Sequence, residues 1–428
     1  MKVSRRRLIQ GSLAIGTLGA LAWTKPKDAG KNHDAYFQQL SAALDAGKFS
    51  RPTLIIDKTK LLENIRTLKT QIADHYAYRI VVKSLPSLPL LDLIAAETGS
   101  RGFMLFDEQF ILTLLKHRTD SDILLGKPIP VSGANKVLSH LSHPAGSDIR
   151  WLIDSTQRLD EYRKLAQQRN QSLRLNLEID IGLHRGGFKT KEALGEALWI
   201  IKQEPLLHFD GFMGYEPHVV KVPGNAMSHL KASLLQYREM IAVAQDILAK
   251  DFPEAVVFNT AGSPTYQLHT GMAANPDRSA PASPCNELSA GSCLVKPMDF
   301  DIPTLANHQA ACFIATPVLK RIPETEIPGA PGLGQLMAWW NPNRQTSLFT
   351  YGGYWKAEPV SPPGLSYNPL YGRSSNQEML NASESIKLQM NDWVFLRPKQ
   401  SESVFLQFGD IAVYDRGQLN ERWPVFSA

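Results

Sequence analysis

The sequence predicts an α/β protein, a (β/α)8 barrel of the TIM type followed by a mostly antiparallel β-domain. From Thr53 to about residue 260, short β-rich runs alternate with helical periodicity in units of about 25–30 residues, as in a parallel sheet with crossover helices. There are roughly eight units, and no G-x-G-x-x-G motif follows the first strand, which favours a barrel over a dinucleotide-binding fold. After about residue 270, β-type runs broken by Gly and Pro replace the helical periodicity, which is typical of an antiparallel domain.

The predicted elements follow one another along the chain. The expected strands of the barrel are residues 54–57, 78–83, 102–105, 122–125, 150–153, 173–179, 208–213 and 256–258. Helical periodicity covers residues 60–72, 88–98, 107–116, 156–168, 190–203 and 226–250, with one more helix near residue 135. The β-type runs of the second domain are residues 312–318, 346–351, 392–396 and 404–408. The predicted domains are a leader (1–22), a linker with one helix (23–50), the barrel (51–270, with its first strand a candidate for the β-domain) and the β-domain (271–428).

The first 22 residues have the pattern of an export signal. Residues 4–9 read Ser-Arg-Arg-Arg-Leu-Ile, which matches the twin-arginine motif, and a weakly apolar stretch follows to Trp23. Ala20-Leu21-Ala22 is a small-x-small cleavage site. We therefore expect export by the twin-arginine machinery to the periplasm, with a retained N-terminal anchor as the alternative.

Net charge and cysteine content argue against a nucleic-acid partner and against a cysteine metal site. The formal net charge is +5, and it falls to about +1 without residues 1–22; the remaining basic residues form no stripe. This argues against a nucleic-acid partner. Cys285, Cys293 and Cys312 are an odd number without metal-ligand spacing. One disulfide of undetermined pairing stays open, and small buried apolar side chains are the default expectation.

Lys83 is the first candidate catalytic residue. It ends the predicted strand 78–83 and precedes Ser-Leu-Pro-Ser, a helix-breaking run. The carboxyl ends of parallel barrel strands lie on the face that carries the chemistry. A lysine there can be desolvated, lose its proton near neutral pH and form a Schiff base. A surface lysine at a strand end is the alternative.

Two further strand ends carry polar side chains to the same face. Residues 180–188 read Asp-Ile-Gly-Leu-His-Arg-Gly-Gly-Phe and place Arg185 at a glycine-lined mouth, unless they form only a strand-to-helix turn. The next strand end places Tyr215, Glu216 and His218 within four residues. His218 is a candidate general acid/base, and a hydrogen-bonded loop histidine is the alternative.

A loop of phosphate-binding type follows the last predicted barrel strand. Residues 259–265 read Asn-Thr-Ala-Gly-Ser-Pro-Thr. Backbone N–H groups and hydroxyls of Gly262, Ser263 and Thr265 can bind a phosphate there, as loops after late barrel strands often do. A turn without a ligand is the alternative.

Together these motifs resemble the pyridoxal 5'-phosphate enzymes of the alanine racemase-like barrel class. More narrowly, they resemble the D-threonine aldolase and D-serine dehydratase family, from about Arg51 to the C-terminus. Residues 51–57, Arg-Pro-Thr-Leu-Ile-Ile-Asp, are similar to the family's opening Thr-Pro-x-Leu-Val-Ile-Asp. The family's Asp-x-Gly-x-x-Arg-x-Gly, Gly-x-x-x-Tyr-x-x-His and Gly-Ser/Thr-Pro-Thr segments are matched at residues 180–187, 211–218 and 262–265. Residues 287–292, Glu-Leu-Ser-Ala-Gly-Ser, resemble the family's Glu-Leu-x-x-Gly-Thr.

The resemblance implies a role for each candidate. Lys83 would be the Schiff-base lysine, and His218 or Tyr215 would move a substrate proton. The implied cofactor-binding residues are Lys83, Arg185, Gly262, Ser263, Thr265, Ser289 and Gly291. The implied activity is that of a lyase on a D-amino or β-hydroxy amino acid, by aldol cleavage or β-elimination. The resemblance also implies a homodimer, because related active sites borrow residues from a second subunit.

The sequence departs from the family at its metal-binding segments. Residues 398–402, Pro-Lys-Gln-Ser-Glu, stand where the family has Pro-x-His-x-Cys or Pro-x-His-x-Asp, and residues 375–377, Ser-Asn-Gln, stand where it has a histidine. Glutamine is a poor metal ligand beside imidazole, so we expect no metal site of the family type. Because the family's metal is thought to polarise the substrate hydroxyl, two alternatives stay open. These are amino acid racemisation and a catalytically reduced protein that only binds cofactor or amino acid.

Overall fold

The computed structural model describes residues 25–73, 75–141, 149–273, 283–323 and 325–427. The predicted leader and its twin-arginine motif lie outside these residues. The chain forms two units. The first consists of Met1–Ile55, Phe313–Pro398 and Gly417–Leu419, and the second of Ile56–Cys312, Lys399–Arg416 and Asn420–Ala428. Within the described ranges, none of the helices has both the length and the apolar character needed to cross a bilayer.

The described helices and strands alternate through the first two thirds of the chain. The helices are α1 (Ala35–Ala46), α2 (Lys58–Ile72), α3 (Leu88–Thr98), α4 (Glu108–His117), α5 (Val131–Ser139), α6 (Thr156–Arg169), α7 (Lys191–Gln203), α8 (Ala226–Leu248), α9 (Tyr266–Ala273), α10 (Ser292–Val295), α11 (Leu333–Trp340) and α12 (Glu402–Phe405). The strands are β1 (Thr53–Asp57), β2 (Ala77–Val81), β3 (Gly102–Leu105), β4 (Asp122–Leu125), β5 (Ile149–Ile153), β6 (Leu173–Glu178), β7 (Leu207–Met213), β8 (Val257–Thr260), β9 (Glu287–Ala290), β10 (Cys312–Pro323), β11 (Thr346–Tyr351), β12 (Ala357–Ser361), β13 (Ser366–Tyr367), β14 (Gln377–Ala382), β15 (Trp393–Pro398), β16 (Asp410–Asp415) and β17 (Gln418–Pro424).

The second unit contains the predicted barrel. Strands β2 to β9 close into an eight-stranded barrel in chain order, and their paired neighbours run parallel. Local sequence explains where two of its helices begin. Asp57 accepts a hydrogen bond from the Lys60 N–H at the start of α2, and Asp107 does the same for Gln109 and Phe110 at the start of α4. The structure confirms the predicted fold class.

The barrel nevertheless uses a different set of eight strands from the predicted set. The first predicted strand, β1, lies beside β10 in the other sheet. The eighth barrel strand is β9, which pairs with β2 from Ala77–Glu287 to Ile80–Ala290 and with β8 at Asn259–Glu287. The barrel therefore extends past the predicted boundary at residue 270, because only β9 closes the ladder between β8 and β2.

The end of the barrel where the strands begin contains a network of ion pairs. Arg79, which is completely buried, binds Glu287 (Nε–Oε1 2.6 Å) and Asp122 (Nη1–Oδ1 2.9 Å). Arg150 pairs with Asp122 and, at 2.5 Å, with Asp210 Oδ2. Opposite charges therefore alternate around this end.

The first unit is mostly antiparallel, as predicted. Strand β10 pairs with β11 and β15, β11 with β14, β12 with β15, and β13 with β14, all in antiparallel register. Helix α1 packs its Phe37 ring against Phe313 (5.3 Å between ring centres) and Phe395 (4.9 Å). The predicted strand at 404–408 is wrong: Glu402–Phe405 is helix α12, and it belongs to the unit of the barrel.

Candidate active site

Residues that follow the barrel strands surround one pocket at the carboxyl end of the barrel. Most of the sequence-predicted candidates line it, namely Lys83, Arg185, Tyr215, Gly262, Ser263, Ser289 and Gly291. All of them belong to the unit of the barrel. Two candidates, Thr265 and His218, are not among the described residues that line the pocket.

The Lys83 amine is held in an environment that disfavours its charge. Lys83 lies in the single 3-10 turn Val82–Ser84 that follows β2, and its Nζ is 4.5 Å from the centre of the Phe106 ring. Burial lowers the pKa of Lys83; the carboxylate of Glu402 opposes this, and the positive charge of Arg185 adds to it. A larger fraction of this amine is therefore neutral, and nucleophilic, than for a lysine in water.

Arg185 and Tyr215 form the opposite wall. The Arg185 guanidinium carbon lies 5.2 Å from the centre of the Tyr215 ring. The loop that carries Arg185 is fixed by Asp180, whose Oδ1 accepts from the N–H groups of Gly182 and His184, both at 3.0 Å. Burial raises the pKa of Tyr215 to about 12. Tyr215 is therefore a proton donor, not a base, at neutral pH.

A cradle of small residues from the turns after β8 and β9 lines the same pocket as Lys83. Ser263 Oγ accepts hydrogen bonds from the N–H groups of Gly291 (3.1 Å) and Cys293 (3.0 Å), which joins the loop after β8 to the turn after β9. A Cβ on Gly262 would lie 2.6 Å from Tyr215 Cε2, and one on Gly291 would lie 2.7 Å from the Val81 carbonyl oxygen. A larger residue would therefore press on the Tyr215 ring at position 262 and on the backbone at the end of β2 at position 291.

The loop after β8 rests on Glu216, a residue that sequence reasoning placed at the mouth of the barrel. Glu216 is completely buried. Its Oε2 accepts from Thr260 Oγ1 (2.8 Å) and Ala261 N (3.3 Å), and its Oε1 accepts from Thr265 Oγ1 (2.6 Å) and His269 Nε2 (3.1 Å). Although burial raises the pKa of Glu216, these hydrogen bonds bring it below its ordinary value. The Thr265 hydroxyl thus binds Glu216, although the sequence suggested that it binds a phosphate.

His218 lies in the 3-10 turn Pro217–Val220. Its Nε2 is 3.5 Å from Ser233 Oγ, and its buried Nδ1 has no hydrogen-bond partner among the residues that the structure describes. Burial lowers the pKa of His218, while Glu216 opposes this shift. Its predicted role in proton transfer stays a prediction.

The pocket also contains three residues outside the predicted site residues, and two of them, Ser292 and Glu402, end segments whose sequence was compared with that of the family. Glu402, at the start of α12, reaches the pocket together with Ser84 and Ser292. Ser84 Oγ donates to Glu402 Oε1 (3.1 Å), and Ser292 Oγ donates to Ser84 Oγ (2.9 Å). Ser84 and Glu402 are 318 positions apart, so no local pattern could have joined them.

The cysteines carry no disulfide. Cys285, Cys293 and Cys312 are all buried and free. Burial raises the pKa of the Cys293 thiol to about 12, so this thiol, close to the cradle, stays protonated. They match the default expectation of small buried side chains.

The residues present fit pyridoxal phosphate. The pocket combines an amine of lowered pKa with a cradle that side chains larger than glycine would fill. The cationic Arg185 suits an anionic cofactor. For a metal, the described part of the chain contains no group of three or more His, Cys, Asp or Glu residues able to hold one ion.

The chain is similar in sequence to known proteins. The model of the alanine racemase N-terminal domain matches residues 56–281. The chain is 24% identical over 265 residues to 3-hydroxy-D-aspartate aldolase of Paracoccus denitrificans (60% of this chain, 63% of that protein). It is 27% identical over 202 residues to alanine racemase of Levilactobacillus brevis (46% and 52%). The chain thus spans less than two thirds of the length of either relative.

Solved structures show the same fold at low sequence identity. D-threonine aldolase from Filomicrobium marinum has a TM-score of 0.68 at 16% identity, covering 88% of this chain and 94% of that chain. D-threo-3-hydroxyaspartate dehydratase from Delftia sp. HT23 has a TM-score of 0.64 at 14% identity (88% and 97%). Alanine racemase from Bacillus anthracis has a TM-score of 0.63 at 14% identity (88% and 98%). Because the family model matches more than half of the sequence, the chain belongs to the family of the alanine racemase N-terminal domain, the fold type III pyridoxal-phosphate proteins.

Proposed function

We propose that this protein is a pyridoxal-phosphate-dependent lyase that acts on a D-amino or β-hydroxy amino acid. One observation carries the proposal. The Lys83 amine, whose pKa is lowered by burial, lines the same pocket as the cradle of Gly262, Ser263 and Gly291. An aldehyde cofactor with an anionic tail needs both of these features in one pocket. The aldolase and dehydratase among the similar proteins support the lyase class.

Different residues of the pocket would bind different parts of the cofactor. Lys83 would bind its aldehyde carbon, while the Ser263 hydroxyl and the glycine-lined turns of the cradle would hold its phosphate. Arg185 would balance its negative charge from the opposite wall. When bound, the cofactor supplies the electron sink for cleavage at the substrate's α-carbon, and the protein selects the bond that breaks.

Proton transfer would be carried out by Tyr215 and Lys83. Tyr215, with its pKa of about 12, can donate a proton from its wall of the pocket, and the neutral fraction of Lys83 can accept one. Racemisation is the second candidate function, because alanine racemases are among the similar proteins. It requires bases on both faces of the substrate.

The proposal is tested by locating the lysine to which the cofactor becomes covalently attached. Purified protein loaded with pyridoxal phosphate is reduced with borohydride, digested and analysed by mass spectrometry. We expect the adduct on Lys83 and no adduct in Lys83→Ala. The matched control is Lys127→Ala, which removes a nearby exposed lysine that does not line the pocket and should leave the adduct unchanged. An adduct spread over surface lysines, or none, would refute the proposal.

We also propose that the protein is exported and acts as a homodimer. The twin-arginine pattern of residues 4–9 supports export, and the family resemblance supports the dimer. Cell fractionation of the full chain, with Arg5, Arg6 and Arg7 all replaced by Lys, tests the first proposal. Light scattering of the loaded protein tests the second; a monomeric mass would contradict it.

A further inference from the structure

One oxygen atom in the pocket lacks a hydrogen-bond donor. Glu402 Oε1 accepts from Ser84, but Oε2 is buried and has no partner among the residues that the structure describes. A buried carboxylate oxygen left in this state costs stability unless a ligand supplies the donor. Because Glu402 lines the same pocket as Lys83, that ligand is one held next to the lysine.

The serines fix the direction of this carboxylate. Ser292 donates a hydrogen bond to Ser84, and Ser84 donates one to Glu402 Oε1. Both hydroxyl protons are therefore used in a row of hydrogen bonds that ends at Glu402. Ser84 and Ser292 are themselves buried. The carboxylate is therefore held with Oε2 available, as an acceptor and not as a donor.

The carboxylate of Glu402, with Ser84 and Ser292, forms a subsite of the pocket. The inference about this subsite rests on the proposed function and narrows its substrate class. We propose that Glu402 Oε2 binds the β-hydroxyl of a β-hydroxy-α-amino acid and takes its proton in aldol cleavage. The O–H bond breaks toward Glu402, the hydroxyl oxygen becomes the carbonyl oxygen of an aldehyde, and the Cα–Cβ bond breaks. The electron pair of that bond passes to the carbon that becomes Cα of glycine. That carbon takes a proton from the pocket, so the products are one aldehyde and one glycine.

Other groups in the pocket serve the hydroxyl less well. Tyr215 is protonated at neutral pH, and Lys83 is already assigned to the cofactor and to proton transfer at the α-carbon. Glu402 also acts on Lys83 through its charge, so a purely electrostatic role is the competing explanation. The experiment must therefore separate an effect on the substrate hydroxyl from an effect on Lys83.

The first measurement compares two substrates in the loaded enzyme. In Glu402→Gln, we expect kcat for D-threonine cleavage to fall about 10²- to 10³-fold, with KM changed less than about threefold. Exchange of the α-proton of D-alanine into deuterium oxide involves no hydroxyl and should stay within about threefold. Glu254→Gln, at an exposed acid of the same unit, is the matched control and should change neither rate.

The second measurement needs no cofactor. The rate at which acetic anhydride acylates Lys83 is followed by mass spectrometry in the cofactor-free protein. Because Glu402 raises the pKa of Lys83, Glu402→Gln should make this acylation at least about threefold faster at pH 8. Ser84→Ala, which leaves the carboxylate in place but frees Oε1, covers the case in which Glu402→Gln fails to fold. It should lower kcat for D-threonine about tenfold without accelerating acylation.

The outcomes separate this inference from the proposed function. Loss of D-threonine cleavage with intact exchange of D-alanine supports the subsite. Equal loss of both reactions would show that Glu402 acts through Lys83, and unchanged cleavage would show that it has no part; either result overturns the subsite alone. A wild-type chain that forms no reducible adduct at Lys83 overturns the proposed function and the subsite together.

Discussion

The two ends of the barrel differ in how completely their charged side chains are paired. Where the strands begin, Arg79, Asp122, Arg150 and Glu287 alternate in sign and pair with one another. Where the strands end, the Lys83 amine faces an aromatic ring, and one oxygen of Glu402 has no donor among the described residues. The first arrangement is complete without a ligand, whereas the second becomes complete when a ligand enters.

This difference indicates which charges serve stability and which serve function. A buried ion pair is balanced by its partner, so removing one member leaves an uncompensated charge. Groups left with shifted pKa values in a cleft are typical of active sites. Substitutions at the starting end should therefore lower the free energy of unfolding, while those at the pocket should alter binding and rate.

The largest effect on stability is expected from Arg79→Met. It leaves Glu287 without its buried cation and Asp122 with Arg150 alone, so the free energy of unfolding should fall by about 3–5 kcal/mol. Urea denaturation at neutral pH measures this. The matched control is Arg101→Met: Arg101 is 65% exposed in its pair with Asp120, and its loss should cost less than about 1 kcal/mol. Equal effects at the two arginines would abolish the proposed distinction between the ends.

The sequence predicted much of the fold and of the pocket because the relevant signals are local. Strand–helix periodicity indicated the barrel, and Lys83, Arg185, Tyr215 and the Gly262-Ser263 turn each follow a strand whose pattern is clear. Gly291 came from the family resemblance alone. Strand β9 was missed because its four residues, Glu-Leu-Ser-Ala, contain no β-branched residue and follow a sequence rich in Pro and Ala.

Glu402 and Glu216 show what local patterns could not provide. Glu402 begins a one-turn helix that overlaps the predicted strand 404–408, and only the tertiary structure brings it to Ser84. Glu216 follows a strand end as expected, yet its side chain turns inward to bind the loop after β8. The direction of a side chain depends on which donors surround it, and those donors come from residues up to 53 positions away.

A smaller effect is expected from Glu216→Gln. It tests whether Glu216, a carboxylate near the pocket with all its hydrogen bonds made, affects cofactor binding by positioning the loop after β8. The four groups around this carboxylate are all donors, so the NH2 group of glutamine would face donors and displace the loop that carries Ser263. We expect affinity for pyridoxal phosphate to fall about 10- to 30-fold, measured by equilibrium titration. Glu254→Gln is again the control. Unchanged affinity together with lowered stability would assign Glu216 to the fold alone.

The smallest effect is expected at Glu178, a largely buried carboxyl group at the mouth of the barrel whose charge Arg185 only partly compensates. Burial raises its pKa from 4.5 to about 7, although Arg185 opposes this. Because the folded-state pKa is above the unfolded value, the protonated side chain stabilises the fold below pH 4.5, and this contribution is lost as the pH rises through 7. Glu178→Gln should therefore match wild type at pH 4 and exceed it by about 1–2 kcal/mol at pH 8, after allowance for partial exposure. Denaturation of both proteins from pH 4 to 8 measures the difference, with Glu196→Gln on the exposed face of α7 as control. A difference that stays constant across that range would mean that Glu178 titrates at the same pH in the folded and unfolded chains, so that burial at the barrel mouth does not disfavour its charge.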